Sequence, residues 1–185
     1  MTYEVELKFP LVDTGTILEK IAQLGATAGK PLEQRDVYYS HPSRDFAQTD
    51  EALRIRSSAG GQVITYKGPI VDSQTKMRKE IEIPFGATAG DATRLDELLT
   101  ELGFRKVRSV VKMRAPFALE WEGRQIELVV DEVEDLGTFL EIETMADERT
   151  RSQARDCILH LAQHLGLEHP ERRSYLVMLL EQHPA

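Results

Sequence analysis

Charged residues two positions apart recur through this chain. Glu4 and Glu6 with Lys8, Arg54 with Arg56, Lys76 with Arg78, Glu80 with Glu82, Lys112 with Arg114, and Glu141 with Glu143 all share that spacing. In an extended strand alternate side chains point to opposite faces, so each set lies on one face. Lys67 and Asp131 add charge in stretches that also read as strands. Arg can give paired hydrogen bonds to phosphate oxygens, and Lys gives a point charge. Clustered carboxylates suit Mg²⁺, which takes a few acidic oxygens together with phosphate oxygens and retained waters. Gathered in one interior, these residues would hold a metal–triphosphate complex. Left on outward faces, they would form salt-bridge ladders between strands.

The elements that carry them follow from local pattern. Residues 1–10 alternate Tyr3, Val5, Leu7 and Phe9 with Glu4, Glu6 and Lys8, a strand. Residues 12–24 read as a helix, capped by Asp13 or Thr14 and stopped by Gly25, with Ile17, Leu18, Ile21 and Leu24 as its stripe. Strands are expected at 34–39, 51–57, 62–67, 76–83 and 104–113, then at 117–121, 124–131 and 137–144. Residues 43–50 read as a loop. The turns Ala59-Gly60-Gly61 and Glu122-Gly123 mark hairpins. Three more helices are expected, at 91–102, 150–165 and 173–181. In the first of these, Leu95, Leu98, Leu99 and Leu102 face inward.

The strand faces opposite the charges carry Val5, Leu7, Leu53, Ile55, Ile81, Ile83, Val111, Met113, Phe139 and Ile142. Helices with apolar stripes need such a surface to pack on. A barrel meets both demands, with helices on its outer wall and charges in its lumen. The expected fold is therefore α+β: a closed or nearly closed eight-stranded antiparallel β-barrel with helices outside, in a single domain over 1–185. Eight cations in such a lumen (Lys8, Arg54, Arg56, Lys67, Lys76, Arg78, Lys112 and Arg114) would be costly without a polyanionic ligand. A triphosphate has the right charge and shape.

Composition narrows the class. Of 185 residues, 41% are hydrophobic and 29% charged, as in ordinary globular proteins. The net charge of −8 argues against general nucleic-acid binding but not against a local cationic pocket. No apolar run reaches the length of a bilayer span, and no signal segment opens the chain. The single Cys157 excludes an internal disulfide framework and suits a reducing cytoplasm. A homodimer is compatible with the chain.

The residues also carry a resemblance. Glu4-x-Glu6-x-Lys8 resembles the ExExK signature of the CYTH superfamily, the triphosphate tunnel metalloenzymes. Leu53-Arg54-Ile55-Arg56, Thr65-Tyr66-Lys67-Gly68-Pro69, Arg78-x-Glu80 and Lys112-x-Arg114 follow in family order. Asp131, Leu136-Gly137-x-Phe139-x-Glu141-x-Glu143 and Arg173-Ser174-Tyr175 complete the set. The likeness is nearest to the class IV adenylyl cyclase branch. It implies a tunnel-forming barrel and a dependence on Mg²⁺ or Mn²⁺. It implies one of three substrates: ATP, cyclised to cyclic AMP and pyrophosphate, or inorganic tripolyphosphate or thiamine triphosphate, hydrolysed. It implies metal ligation by Glu4, Glu6, Asp131, Glu141 and Glu143, and phosphate binding by Lys8, Arg54, Arg56, Lys67, Arg78, Lys112 and Arg114. Glu4, Glu6 and Lys8 then form the catalytic strand, and Glu80 lines the tunnel. Class IV cyclases place a His-Phe pair shortly before ExExK, whereas only Thr2 and Tyr3 stand between Met1 and Glu4. That departure keeps the hydrolase reading beside the cyclase one, as does the intact Glu141-x-Glu143 pair. A non-catalytic polyphosphate- or nucleotide-binding module is the third reading.

Other chemistry-bearing residues read as structural. His160 and His164 have metal-pair spacing but lie opposite the Ile158/Leu161/Leu165 stripe. Cys157 reads as helix packing, Tyr38 and Tyr39 as core or barrel rim, and Tyr175 as a tunnel end or a helix dock.

Overall fold

The alternation of apolar residues with charges does produce strands, and they curl into one antiparallel sheet. The computed structural model describes residues 2–182. In chain order the elements are β1 (Thr2–Pro10), α1 (Thr14–Gln23), β2 (Thr27–Ala28), β3 (Leu32–Ser40), α2 (Phe46–Thr49), β4 (Ala52–Ser58) and β5 (Gly61–Lys67). Then come β6 (Glu80–Gly86), α3 (Ala89–Glu101), β7 (Arg105–Trp121), β8 (Arg124–Val133), β9 (Gly137–Asp147), α4 (Arg151–Leu165) and α5 (Tyr175–Gln182). The strand order is β1-β9-β8-β7-β3-β4-β5-β6, with β2 added on β7. The two ends of this sheet meet. Glu4 and Arg78 exchange backbone hydrogen bonds at 3.2 Å each, and the Lys76 N–H donates to the Glu6 carbonyl at 3.0 Å. The expected barrel of eight main strands with helices outside is the fold observed.

The outer wall is dry where helices cover it. Tyr3, Val5, Leu7 and Phe9 on β1 pack with Leu128, Leu140 and Ile142 against Ile17 and Ile21 of α1 and Ile158, Leu161 and Leu165 of α4. Asp13 caps α1 by accepting from the Thr16 N–H at 3.1 Å, which satisfies one free donor of its first turn. α3 packs through Leu99 on Tyr39 and Ile55 and begins with a Thr88–Asp91 capping box. α5 closes one tunnel end, where Tyr175, Met178 and Leu179 meet Tyr38, Val110, Val133 and Phe139.

Several expectations are corrected. The strands expected at 104–113 and 117–121 are one 17-residue strand. Pro116 is tolerated inside it because β3 pairing stops at Leu32–Arg114, and the Gly29 N–H donates to the Pro116 carbonyl at 2.8 Å. The stretch 76–83 is regular only from Glu80, and residues 76–78 form the seam that joins the sheet ends. The loop at 43–50 holds the short α2, capped by Asp45. Leu98, Leu102, Ile81, Ile83 and Met113 are exposed rather than covered; α3 turns Leu95 and Leu99 to the sheet, where they pack with Tyr39, Ile55 and Phe85. Phe139 shares its face with Glu141 and lies at the closed tunnel end, 5.1 Å from Tyr175 between ring centres. No helix among the described residues is long and apolar enough to cross a membrane.

Candidate active site

Inside the curl lies a cavity of about 1340 Å³. Lysines, arginines and carboxylates from β1, β4, β5, β6, β7 and β9, with Lys76 and Arg78, line it. Every residue singled out from sequence for metal or phosphate faces this space except Asp131, which lies wholly buried in its wall.

The buried charges sort into two arrangements. In the first, one Asp grips two cations on a neighbouring strand. Asp131 on β8 accepts from Lys112 Nζ at 2.7 Å and from Arg114 Nε and a terminal guanidinium nitrogen at 2.8 and 2.7 Å. Tyr175 donates its hydroxyl to the same Asp131 at 3.2 Å. Asp36 on β3 does likewise, accepting from Arg54 at 3.2 Å and from Arg56 through two bonds of 2.7 Å. Burial opposes ionisation of Asp36, but Arg54 and Arg56 outweigh it and hold the carboxyl well below the usual range. The spacing of two is what makes both clamps: Arg56 stands directly opposite Asp36 and Arg114 opposite Asp131, and the second cation, Arg54 or Lys112, reaches the same Asp from the diagonal position.

In the second arrangement each carboxylate has a single salt-bridge cation. Glu4, Glu6 and Glu143 bring carboxylate oxygens within 4.8 Å of one another. Glu6 has Lys76 at 2.9 Å and Glu4 has Lys67 at 3.6 Å, but the cation facing Glu143 is Arg114 at 3.8 Å. Burial and repulsion by Glu4, Glu141 and Glu6 push the Glu143 carboxyl well above the usual range, despite Arg114. Burial also raises Glu4, but Lys67, a hydrogen bond with Glu80 and Arg54 bring it down to about 2. Its neighbour Glu80 goes the other way, pushed up to about 7 by burial and by Glu4, although Lys67 bonds to it. Three crowded oxygen donors short of positive charge fit a hard divalent cation such as Mg²⁺ or Mn²⁺.

The remaining residues are placed between these groups. Glu141 is bonded by Arg114 and stands outside the three-carboxylate group. Lys8, only 1% exposed, donates to the Arg173 carbonyl at 2.6 Å and lies 4.0 Å from the centre of the Tyr175 ring. Burial and the nearby Lys76 hold its amine well below the usual lysine range. Lys112 is lowered to about 8, by burial and then by Arg114. Arg78 donates to the Asp50 carbonyl at 3.2 Å. Two buried polar atoms facing this interior, Arg54 Nε and Gln34 Oε1, have no partner among the described residues.

Sequence reasoning missed Asp36 as part of this site. The signal was present: Gln34, Asp36 and Tyr38 alternate in phase on one strand. Cys157 is buried, His160 and His164 are exposed as expected, and Tyr39 bonds Asp96 at 2.8 Å on the outer side.

Comparison with known proteins agrees with this geometry. Residues 2–175 match the CYTH domain family. A Methanocaldococcus jannaschii protein, provisionally named an adenylate cyclase, is 34% identical over 94% of this chain and 96% of its own. A solved Pyrococcus horikoshii structure is 40% identical, with a TM-score of 0.83 over 97% of this chain and 99% of that one. A Hippeastrum protein, provisionally an adenylyl cyclase and described as revealing a dominant triphosphatase activity, shares the fold. It is 18% identical, with a TM-score of 0.67 over 98% of this chain and 96% of its own. With a match spanning the barrel, both Asp clamps and the glutamate group, this chain belongs to the CYTH family, the triphosphate tunnel metalloenzymes.

Proposed function

We propose that this chain is a divalent-metal-dependent adenylyl cyclase of the class IV kind, converting ATP to cyclic AMP and pyrophosphate in the barrel lumen. The observation that carries the reading is the polarity of the cavity. A three-carboxylate group (Glu4, Glu6, Glu143) adjoins a wall of buried cations held rigid by Asp36 and Asp131. Glu4, Glu6 and Glu143 would hold the metal, which when bound offsets phosphate charge and polarises the reacting phosphoryl group. The protein's own part is positioning. Arg114, Lys112, Arg54 and Arg56 keep fixed directions because their Asp partners hold them, so little reorganisation accompanies phosphate binding. Arg54 Nε is a buried donor still lacking a partner, and a phosphate oxygen would supply one. Lys67, Lys76 and Arg78 add charge at the seam, and Lys8 adds it at the closed end. In the reaction the ribose 3′-oxygen forms a bond to the α-phosphorus, pyrophosphate departs with its bond electrons, and the hydroxyl proton is released. The cationic wall stabilises the departing pyrophosphate. The name carried by the 34% identical relative supports a cyclase.

A triphosphatase acting on tripolyphosphate or thiamine triphosphate is the second reading. Glu143 favours it, as a third carboxylate beside Glu4 and Glu6 and thus a fuller acid set than two glutamates give. Incubation with each of the three triphosphates and Mg²⁺ or Mn²⁺ separates the readings by product. Cyclic AMP with pyrophosphate is expected from ATP. Orthophosphate without cyclic AMP would establish the hydrolase. Neither product from any of them would leave a binding module.

A further inference from the structure

β1 stands at one end of the strand order, with β9 along one of its edges. The backbone groups of its other edge also need partners. Among the described residues no regular strand supplies them. The seam residues Arg78 and Lys76 bond Glu4 and Glu6, and the Glu171 N–H donates to the Lys8 carbonyl at 2.7 Å. Two stretches far apart in sequence therefore lie end to end along this edge. One is the connection between β5 and β6, and the other is the connection between α4 and α5.

Arg172 ties the two together. Its guanidinium donates to the Ser73 carbonyl, and to the Asp72 carbonyl at 3.3 Å. Asp72 organises the turn that receives it. Its carboxylate accepts from the Gln74 and Thr75 N–H groups at 2.9 and 2.7 Å and from the Thr75 hydroxyl at 3.0 Å. Arg155 of α4 lies 3.8 Å from the same carboxylate. From this turn the chain passes into the seam, where Thr75, Lys76, Met77 and Arg78 are all buried. Met77 joins the core beneath α1 and α4, while Lys76 and Arg78 line the tunnel. The other lumen cations, Lys8, Arg54, Arg56, Lys67, Lys112 and Arg114, stand on regular strands. Their directions come from the ladder. Those of Lys76 and Arg78 come from where an irregular stretch is tied down.

We propose that Arg172 is a positioning residue: from outside the barrel it fixes the seam turn to the α4–α5 connection, and so sets where Lys76 and Arg78 meet the phosphates. The inference rests on the triphosphate reading above and extends it to an exposed residue that does not line the tunnel. Arginine suits the task, because its rigid fork reaches two successive carbonyls at once where a lysine offers one point charge. The same connection seats Lys8, whose Nζ donates to the Arg173 carbonyl at 2.6 Å. One tie at Arg172 thus holds the seam cations in fixed relation to Lys8 and to the closed end of the tunnel.

Calorimetric titration of the full chain with the Mg²⁺ complex of tripolyphosphate tests this. The proteins are the wild type, Arg172→Ala, Arg172→Lys, Lys76→Gln, and Arg172→Ala combined with Lys76→Gln. Arg151→Ala is the control for loss of one surface charge, since Arg151 is an exposed arginine 3.2 Å from Glu148. Melting temperatures check that each variant is folded. Arg172→Ala should weaken binding about fivefold and Arg172→Lys about twofold, with Arg151→Ala unchanged. With Lys76 already replaced, the cost of Arg172→Ala should shrink to about twofold or less, because the two residues act through one another. An equal cost in both backgrounds, an equal cost from Arg151→Ala, or no cost at all overturns the tie and leaves the triphosphate reading standing. Absence of binding by the wild type overturns the triphosphate reading, and the tie with it.

Discussion

The Asp clamps and the glutamate group are both buried carboxylate sites in one tunnel, yet they differ in company. Asp131 has three donors and Asp36 two, all within 3.2 Å. Glu4, Glu6 and Glu143 face one another, and each has one cation, at 3.6, 2.9 and 3.8 Å. Buried charge is tolerated when its hydrogen bonds are complete and costs stability when they are not. The clamps therefore belong to the scaffold that aims the cations. On the proposed reading the glutamates are the metal site, held ready at some cost to the fold. Residue type alone does not separate the two; the count of partners does.

The largest effect that would test this contrast is at Asp131. Asp131→Asn leaves Lys112 and Arg114 buried against a neutral amide, and a loss of about 3–5 kcal/mol in chemical denaturation is expected. A loss under 1 kcal/mol would break the distinction. Next comes Glu6→Gln, which should lower turnover about a hundredfold or more while circular dichroism stays native. Full activity would remove Glu6 from the site. Glu143→Gln sharpens the comparison by its sign. Removing a carboxylate crowded by Glu4, Glu141 and Glu6 should raise the melting temperature of metal-free protein by a few degrees, about 1 kcal/mol, while weakening Mg²⁺ binding. A lower melting temperature would make Glu143 a clamp like Asp131.

The smallest effect is with pH. Glu80 titrates near 7 in the fold, above its unfolded value, so its contribution is fully present below about pH 4.5 and lost as pH rises through 7. Glu143 acts in the same direction. Asp36 and Glu4 are depressed, so their contributions are present above about pH 4 and lost as pH falls further. Lys8 and Lys112 are depressed and act in the opposite sense as pH rises, so the glutamate part is read by difference. From pH 5 to 8 the metal-free wild type should lose a few degrees of melting temperature relative to Glu80→Gln. Parallel melting curves for the two over that range would contradict the assignment of Glu80 to the destabilised set.

Much of this was legible in the sequence because a strand writes its two faces in alternate letters. Val5 and Leu7 against Glu4, Glu6 and Lys8 gave both the wall and the lumen of β1, and Arg54 with Arg56 did so for β4. What was not legible was contact between distant strands. Nothing local says that Asp131 spends its oxygens on Lys112 and Arg114 while Glu143 spends few of its own, since that depends on register across β7, β8 and β9. Coverage by helices was also hidden. The apolar letters of Ile81 and Ile83 look like those of Val5, yet both are exposed, and α3 meets β6 through Phe85 instead. Pro116 misled because its cost depends on whether a neighbouring strand needs its N–H, and β3 has already departed there.

The account stands most directly on the thermal unfolding of the full chain with tripolyphosphate, with and without Mg²⁺. At about 100 times the dissociation constant a bound ligand adds about 2.7 kcal/mol, which for a chain of this size raises the melting temperature by about 5–10 °C. The account predicts that rise with Mg²⁺ present and a smaller one without it. An unchanged melting temperature at saturating tripolyphosphate and Mg²⁺ would contradict it.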